Sequence, residues 1–182
     1  GMGYLDSDTG AYSGLDVEYC RAIAAAIGLN PDEDINYIVA SAGDRFQKLE
    51  DKEIDVLIRT TTWTTSRDAE LNADFAGINF YDGQGFMVAK DAGVSSVKDL
   101  DGASICVQAG TTTELNMADY FRNNGMDYTP VGYDTSVQTR EGLEGGACDA
   151  LTSDASQLAA IRSETSSPSS WTMLPEIISK EP

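Results

Sequence analysis

What most constrains this chain is the alternation of two hydrophobic spacings along it. Short apolar runs of strand length are followed repeatedly by stretches with helical periodicity, and an α/β fold follows from that pattern. The first helix starts after Ser13, which can cap it, with Asp16 three residues on. Tyr19, Ile23 and Ile27 lie on one stripe at i, i+4 spacing, and Gly28 ends the helix. Residues 35–39 read as a strand, 43–52 as a short helix with Phe46 and Leu49 inward, and 54–58 as a buried strand. A doubly wound sheet would place another strand ahead of the first helix. The sequence instead opens on Gly1-Met2-Gly3-Tyr4, which reads as mid-loop in a processed or trimmed piece.

Extended segments are expected at 78–81 and 86–88, after which the pattern restarts. A turn at 97–100 leads to a strand at 104–107 and a helix at 112–123 stopped by Gly125. A strand at 128–131, a helix at 136–144, a strand at 149–152 and a helix at 155–165 follow. A polar loop at 166–170 precedes extended segments at 171–174 and 177–178. The reading is two lobes: 1–86, 87–176, and a return strand at 177–182 towards the first. A length of 182 residues allows one ordinary domain or two small ones.

Composition narrows the function. Hydrophobic residues are 41% of the chain and charged residues 23%, enough for a real core. Lys and Arg number 12 against 30 Asp and Glu, a net charge of −18. Such a balance argues against nucleic acid, which needs clustered cations, and against docking on an anionic membrane surface. No apolar run approaches the ~18 residues of a spanning helix. There is no histidine, which removes the Ser-His-Asp and Cys-His nucleophile systems and most zinc sites. Cys20, Cys106 and Cys148 are widely spaced, so no metal or iron–sulfur cofactor is expected.

Three polar turns are candidates for chemistry. Thr60-Thr61-Thr62-Trp63-Thr64-Thr65-Ser66-Arg67 follows an apolar run, where a parallel sheet presents its carboxyl edge. Its hydroxyls and amides can fix a small polar ligand, and Arg67 offers a planar fork for a carboxylate. A solvated Thr-rich loop with a surface arginine is the competing reading. Gly110-Thr111-Thr112 occupies the matching place in the second lobe, where free amides at a helix start favour an anion. Simple helix capping by threonine is the competing reading and, taken alone, the stronger one. Asp154 can receive an ammonium group or merely cap the helix that follows.

A resemblance joins the three turns. The strings Gly14-Leu-Asp-Val-Glu-Tyr-Cys-Arg, Thr61-Thr-Trp-Thr-Thr-Ser-Arg-Asp, Phe80-Tyr-Asp-Gly-Gln-Gly-Phe-Met-Val, Gly110-Thr-Thr-Thr-Glu-Leu-Asn and Leu174-Pro-Glu-Ile-Ile-Ser-Lys-Glu-Pro are similar to the periplasmic amino-acid-binding proteins of bacterial ABC importers. The general L-amino-acid-binding branch resembles the chain most, over essentially its whole length. The resemblance implies the type II periplasmic-binding-protein fold, two α/β lobes each built on a mostly parallel sheet, with the ligand between them. It implies that Arg67 clamps the ligand α-carboxylate, aided by Thr60 and Thr62, and that Gly110, Thr111 and Thr112 complete that site. Asp154 then holds the α-ammonium, while Tyr4, Tyr12 and Trp63 are candidates for side-chain contact. Set against the family, the first lobe is expected to lack its opening strand and its last helices.

Further expectations follow from the same resemblance. The protein is expected to be a non-catalytic periplasmic binder made with a signal peptide, delivering an L-amino acid to a membrane permease without inserting itself. An amino-acid-sensing receptor domain, or a dehydratase on the same fold, are the competing classes. Export permits a disulfide. Cys106 and Cys148 can pair if their strands are neighbours in one sheet. Cys20 stays unpaired, because the partner the family implies for it precedes Gly1; three buried thiols are the alternative.

Overall fold

A computed structural model describes residues 2–71 and 73–182; Gly1, where the expected opening loop starts, lies outside the described residues. The chain divides into two units, one holding residues up to Ala40 together with Asp44–Phe75, the other Ser41–Gly43 with Ala76–Pro182. The division falls upstream of residue 86, and the segment 177–182 is grouped with the second unit.

The first unit opens with a hairpin of two-residue strands, β1 (Tyr4–Leu5) and β2 (Tyr12–Ser13), paired antiparallel. Three helices follow: α1 (Leu15–Ala26), α2 (Arg45–Glu50) and α3 (Thr65–Glu70). Ser13 does not cap α1. The N-cap is Gly14 at φ 113°, and no side chain bonds there. A Cβ at Gly14 would sit 2.2 Å from the Met2 carbonyl oxygen, which accepts from the Asp16 amide instead. The expected strands at 35–39 and 54–58 are not formed. An apolar run becomes a strand only beside another strand that takes its backbone groups, and among the described residues none is paired with these two. The α1 stripe is likewise uncovered: Val17 and Ala24 are buried, but Ile27 is 68% exposed. On α2 the buried residue is Arg45, with Phe46 and Leu49 half-buried.

The second unit carries a five-stranded sheet in the order β5-β4-β6-β3-β7. Its strands are β3 (Gln84–Ala89), β4 (Ser104–Gln108), β5 (Thr129–Tyr133), β6 (Ala150–Asp154) and β7 (Trp171–Met173). β4 runs parallel to β5 and β6, while β3 runs antiparallel to β6 and β7, so the sheet is mixed rather than mostly parallel. The helices α4 (Thr112–Asn124), α5 (Ser136–Glu144) and α6 (Ala155–Glu164) connect it. One apolar cluster gathers Phe86, Val88, Ile105, Val107, Met117 and Phe121. A second gathers Met87, Cys106, Cys148, Leu151 and Leu158. Residues 86–88 of β3 and 105–107 of β4 alternate between the two clusters, as a strand period of two requires.

Cys106 on β4 and Cys148 just before β6 form the expected disulfide, with Cα atoms 5.7 Å apart. Cys20 is the remaining thiol, and burial followed by the nearby Asp16 charge pushes its pKa up. Residues 78–81 and 177–178 form no strand; a single antiparallel bridge joins Asp82 to Glu181. Ile178 nonetheless donates its amide to the Gln84 carbonyl at 2.9 Å. Gly83 permits this crossing, because a Cβ there would meet Ile177 Cγ2 at 2.4 Å and the Ser179 carbonyl oxygen at 2.8 Å.

Candidate functional site

In the first unit the hydroxyl-rich run is split by a helix start. Thr64 caps α3, accepting from the Arg67 amide at 3.2 Å, and thereby fixes the turn from which Arg67 projects. The half-buried Arg67 guanidinium donates through Nη1 to the Thr62 carbonyl at 2.7 Å and lies 5.4 Å from the centroid of the Phe46 ring. Arg45 lies 4.9 Å from the same centroid. Arg45 is only 2% exposed. Its burial, then repulsion from Arg59 and Arg67, lowers its pKa to about 9, while Asp44 acts in the opposite sense. Thr60, between Arg59 and the Thr run, is half-buried. Aromatic candidates are held by their own neighbours: Trp63 stacks on Phe75 at 5.2 Å and Tyr12 on Tyr37 at 4.8 Å, whereas Tyr4 is 53% exposed.

In the second unit the parallel pairing of β4 with β6 sets the turn after β4 and the end of β6 at the same carboxyl edge. Gly110 takes φ 71° in the turn after β4. Thr111 caps α4, accepting from the Glu114 amide at 3.3 Å and donating to the Gln108 carbonyl at 2.7 Å. The Gly110 amide donates to Glu114 Oε2 at 3.0 Å, so part of the expected anion position is met by the chain's own carboxylate. Thr112 is the first residue of α4 and half-buried.

Asp154 ends β6 and stands at the N-cap of α6, yet its side chain makes no capping hydrogen bond. Asp82 supplies that acceptor from outside the helix, its Oδ2 receiving the Ser156 amide at 3.2 Å. The amide at the second position of α6 is thus met by Asp82 and not by Asp154. Across the β3–β6 ladder Asp154 pairs with Gln84. Gln84 is fully buried, and its Nε2 donates to the Thr113 carbonyl and to Thr152 Oγ1, each at 2.8 Å. This one side chain joins the start of α4 to the end of β6.

Sequence reasoning missed Arg45, Arg59, Asp82 and Gln84. Arg59 abuts the Thr run and Gln84 opens an apolar run, and those adjacencies were the available signals. Arg45 gave none, since an arginine at a helix start reads as surface.

The comparisons now bear on this geometry. The sequence model of the bacterial extracellular solute-binding proteins, family 3, matches residues 1–166. The glutamate/glutamine/aspartate/asparagine-binding protein BztA of Rhodobacter capsulatus is 51% identical over 173 residues, covering 95% of this chain and 51% of its own. The general L-amino acid-binding periplasmic protein AapJ of Rhizobium johnstonii is 45% identical over 174 residues, 96% of this chain and 51% of its own. A solved ABC transporter periplasmic binding protein from Brucella ovis, with glutathione bound, is 51% identical with a TM-score of 0.95. That match takes in 100% of this chain and 57% of the other. The chain thus spans about half the length of the curated relatives it matches. A family match over most of its residues and so close a structural likeness lead to one conclusion: the chain belongs to family 3 of the bacterial extracellular solute-binding proteins and has the two-unit α/β architecture of type II periplasmic binding proteins.

Proposed function

We propose that the protein carrying this chain binds L-amino acids outside the cytoplasm and presents them to the permease of an ABC importer, without catalysis. The ligand is a zwitterion and needs one site of each charge. Arg67, with Thr60 and Thr62, takes the α-carboxylate, and the Gly110–Thr112 turn contributes amides to it. Asp154 takes the α-ammonium. The observation that supports this reading is the shared carboxyl edge: the parallel pairing of β4 with β6 brings the Gly110–Thr112 turn to the end of the sheet where Asp154 closes β6. Glutathione, bound by the Brucella relative, presents the same α-carboxylate and α-ammonium on its γ-glutamyl end. We place the lobes of the reading at the unit division near residue 76 and the protein in the periplasm, as the names of its relatives suggest.

Isothermal titration of the full-length protein with a panel of L-amino acids tests this. Arg67→Ala removes a charge-assisted fork worth on the order of 2–5 kcal/mol when its partner is left buried. Affinity should fall roughly a hundredfold or more, at about 1.4 kcal/mol per tenfold. Asp154→Asn should weaken binding strongly while leaving the melting temperature near its original value. Unchanged affinity in both variants would refute the assignment.

A further inference from the structure

Gln84 is an unfavourable choice for its position by stability alone. It is fully enclosed at the start of β3, whose residues 86–88 are apolar and equally buried. Among the described residues its Oε1 meets no hydrogen-bond donor, and a buried acceptor left unpaired opposes folding. Methionine has much the same shape and would strand no such group. What glutamine can do there, and methionine cannot, is donate twice. The Thr113 carbonyl only accepts, so the amide nitrogen faces it; the Thr152 hydroxyl gives its own proton to the Gly85 carbonyl at 2.8 Å, so it too accepts from Gln84. Both arms lead to the binding elements of the second unit. Thr113 Oγ1 lies 2.7 Å from Thr111 Oγ1, and the Thr111 proton is held by the Gln108 carbonyl, so Thr113 is the donor between them. The Gly110–Thr112 turn is thereby tied to Gln84 through Thr111 and Thr113. On the other arm, Thr152 precedes Asp154 by two residues on the same face of β6, and Asp154 stands opposite Gln84 in the ladder. The main chain of Gln84 is anchored as well, its carbonyl accepting from the Ile178 amide at 2.9 Å and its amide donating to Ser179 Oγ at 3.3 Å. A buried polar network held on so many sides fixes the interval between the elements it joins.

We propose that Gln84 is a positioning residue that sets the separation between the carboxylate-binding turn and the ammonium-binding Asp154, so that the protein selects α-amino acids over isomers whose charges lie one carbon further apart. This rests on the amino-acid-binding reading above. Gln84 has no exposure to solvent and acts through Thr111, Thr113 and Thr152, without touching the ligand. A β-amino acid brings the same two charged groups, but a fixed frame meets only one of them in full alignment. Losing one charge-assisted hydrogen bond in this way costs about tenfold in affinity or more.

The test is calorimetry on the full-length protein, as wild type, Q84M and T152V, with two isomeric pairs: L-alanine against β-alanine, and L-glutamate against β-glutamate. The wild type should prefer the α isomer of a pair by at least about tenfold. Q84M removes both donors at nearly constant volume and should abolish most of that preference, by weakening the α isomer while the β isomer stays within about threefold. T152V removes one arm and should lower the preference by less. A purely structural role would lower the melting temperature and weaken both isomers alike, so a preference that survives in Q84M overturns the inference. If Q84M unfolds, as its melting curve will show, T152V decides the matter, and unfolding of both variants assigns the network to stability and overturns the inference too. A wild type that binds no amino acid overturns the function itself; one that binds both isomers of each pair equally overturns only this inference.

Discussion

Asp149 shows how a single carboxylate can hold the frame behind the site. Its Oδ2 accepts from the Ser104 hydroxyl at 2.6 Å and from the Ser104 amide at 2.8 Å, pinning the start of β4 to the chain entering β6. The hydroxyl bond, then the amide bond, lowers its pKa below the ordinary 3.8. A folded pKa below the unfolded one means that the unfolded chain takes up the proton first as pH falls. The contribution is therefore complete above about pH 4 and disappears as pH drops through the folded value. Asp149→Asn should lower stability at pH 7 and reduce the further loss between pH 5 and 3, read from thermal melts at each pH. A variant that loses as much stability on acidification as the wild type would remove Asp149 from this role. The candidate residues themselves were unevenly legible. Arg67 and Asp154 stand at ends of apolar runs, where a sheet delivers its polar edge, and Gly110–Thr112 carries a turn and a cap in its own letters. Arg45 was illegible because its burial depends on how α2 packs against residues distant in sequence, which no local pattern records.

At the scale of elements, legibility tracked self-sufficiency. In the second unit α4 and α5 announce their own limits: Thr111 caps α4 and Gly125 ends it at φ 65°, and Thr135 with Gln138 forms a complete capping box on α5. The expected helices there fall within one or two residues of the observed ones. Strands were read from apolar runs alone, and that signal says nothing about a partner. Residues 104–107 had neighbours and became β4, whereas 35–39 and 54–58 had none and remained extended chain. The two-residue strands of the β1–β2 hairpin are too short to show a period. Where strands do neighbour each other, the consequence is covalent. Residues Ile105 and Cys106 pair with Ala150 and Leu151, which brings Cys148 within reach of Cys106. The bridge closes a loop of 42 positions, and the chain-entropy account assigns it about 4 kcal/mol. Replacing both cysteines by serine should lower the unfolding free energy by up to that amount. Alkylation of the unreduced, denatured protein should label Cys20 alone. Three labelled thiols in protein made under oxidising conditions would contradict the pairing.

At the scale of the whole chain, burial is divided unequally between the two units, and stability should follow it. Among the described residues, Val17 and Ala24 are the buried hydrophobic side chains of the first unit, while Ile27, Val39 and Val56 are more than half exposed. The second unit buries Phe86, Met87, Val88, Ile105, Val107, Met117, Phe121, Leu151 and Leu158 almost completely. Apolar burial supplies roughly 25 cal/mol per Å2, so the second unit gains far more from folding than the first. Backbone bonding adds to the contrast, since β3, β4 and β6 are paired on both sides within the sheet whereas 35–39 and 54–58 belong to no ladder. Amide exchange reports the local cost of opening, from near zero in loosely held segments to the global value in core strands. In this 182-residue chain, protection should therefore be greatest in β3, β4 and β6 and their helix α4, and weak through 35–39 and 54–58. The helices α1 and α2 should exchange between these extremes, because their intrahelical bonds persist while one face of α1 meets water. Exchange measured by mass spectrometry on a preparation shown to be monomeric decides the point. Equal protection of both units would mean that the first is held by forces other than burial and sheet pairing, and the energetic division drawn between them would then fail.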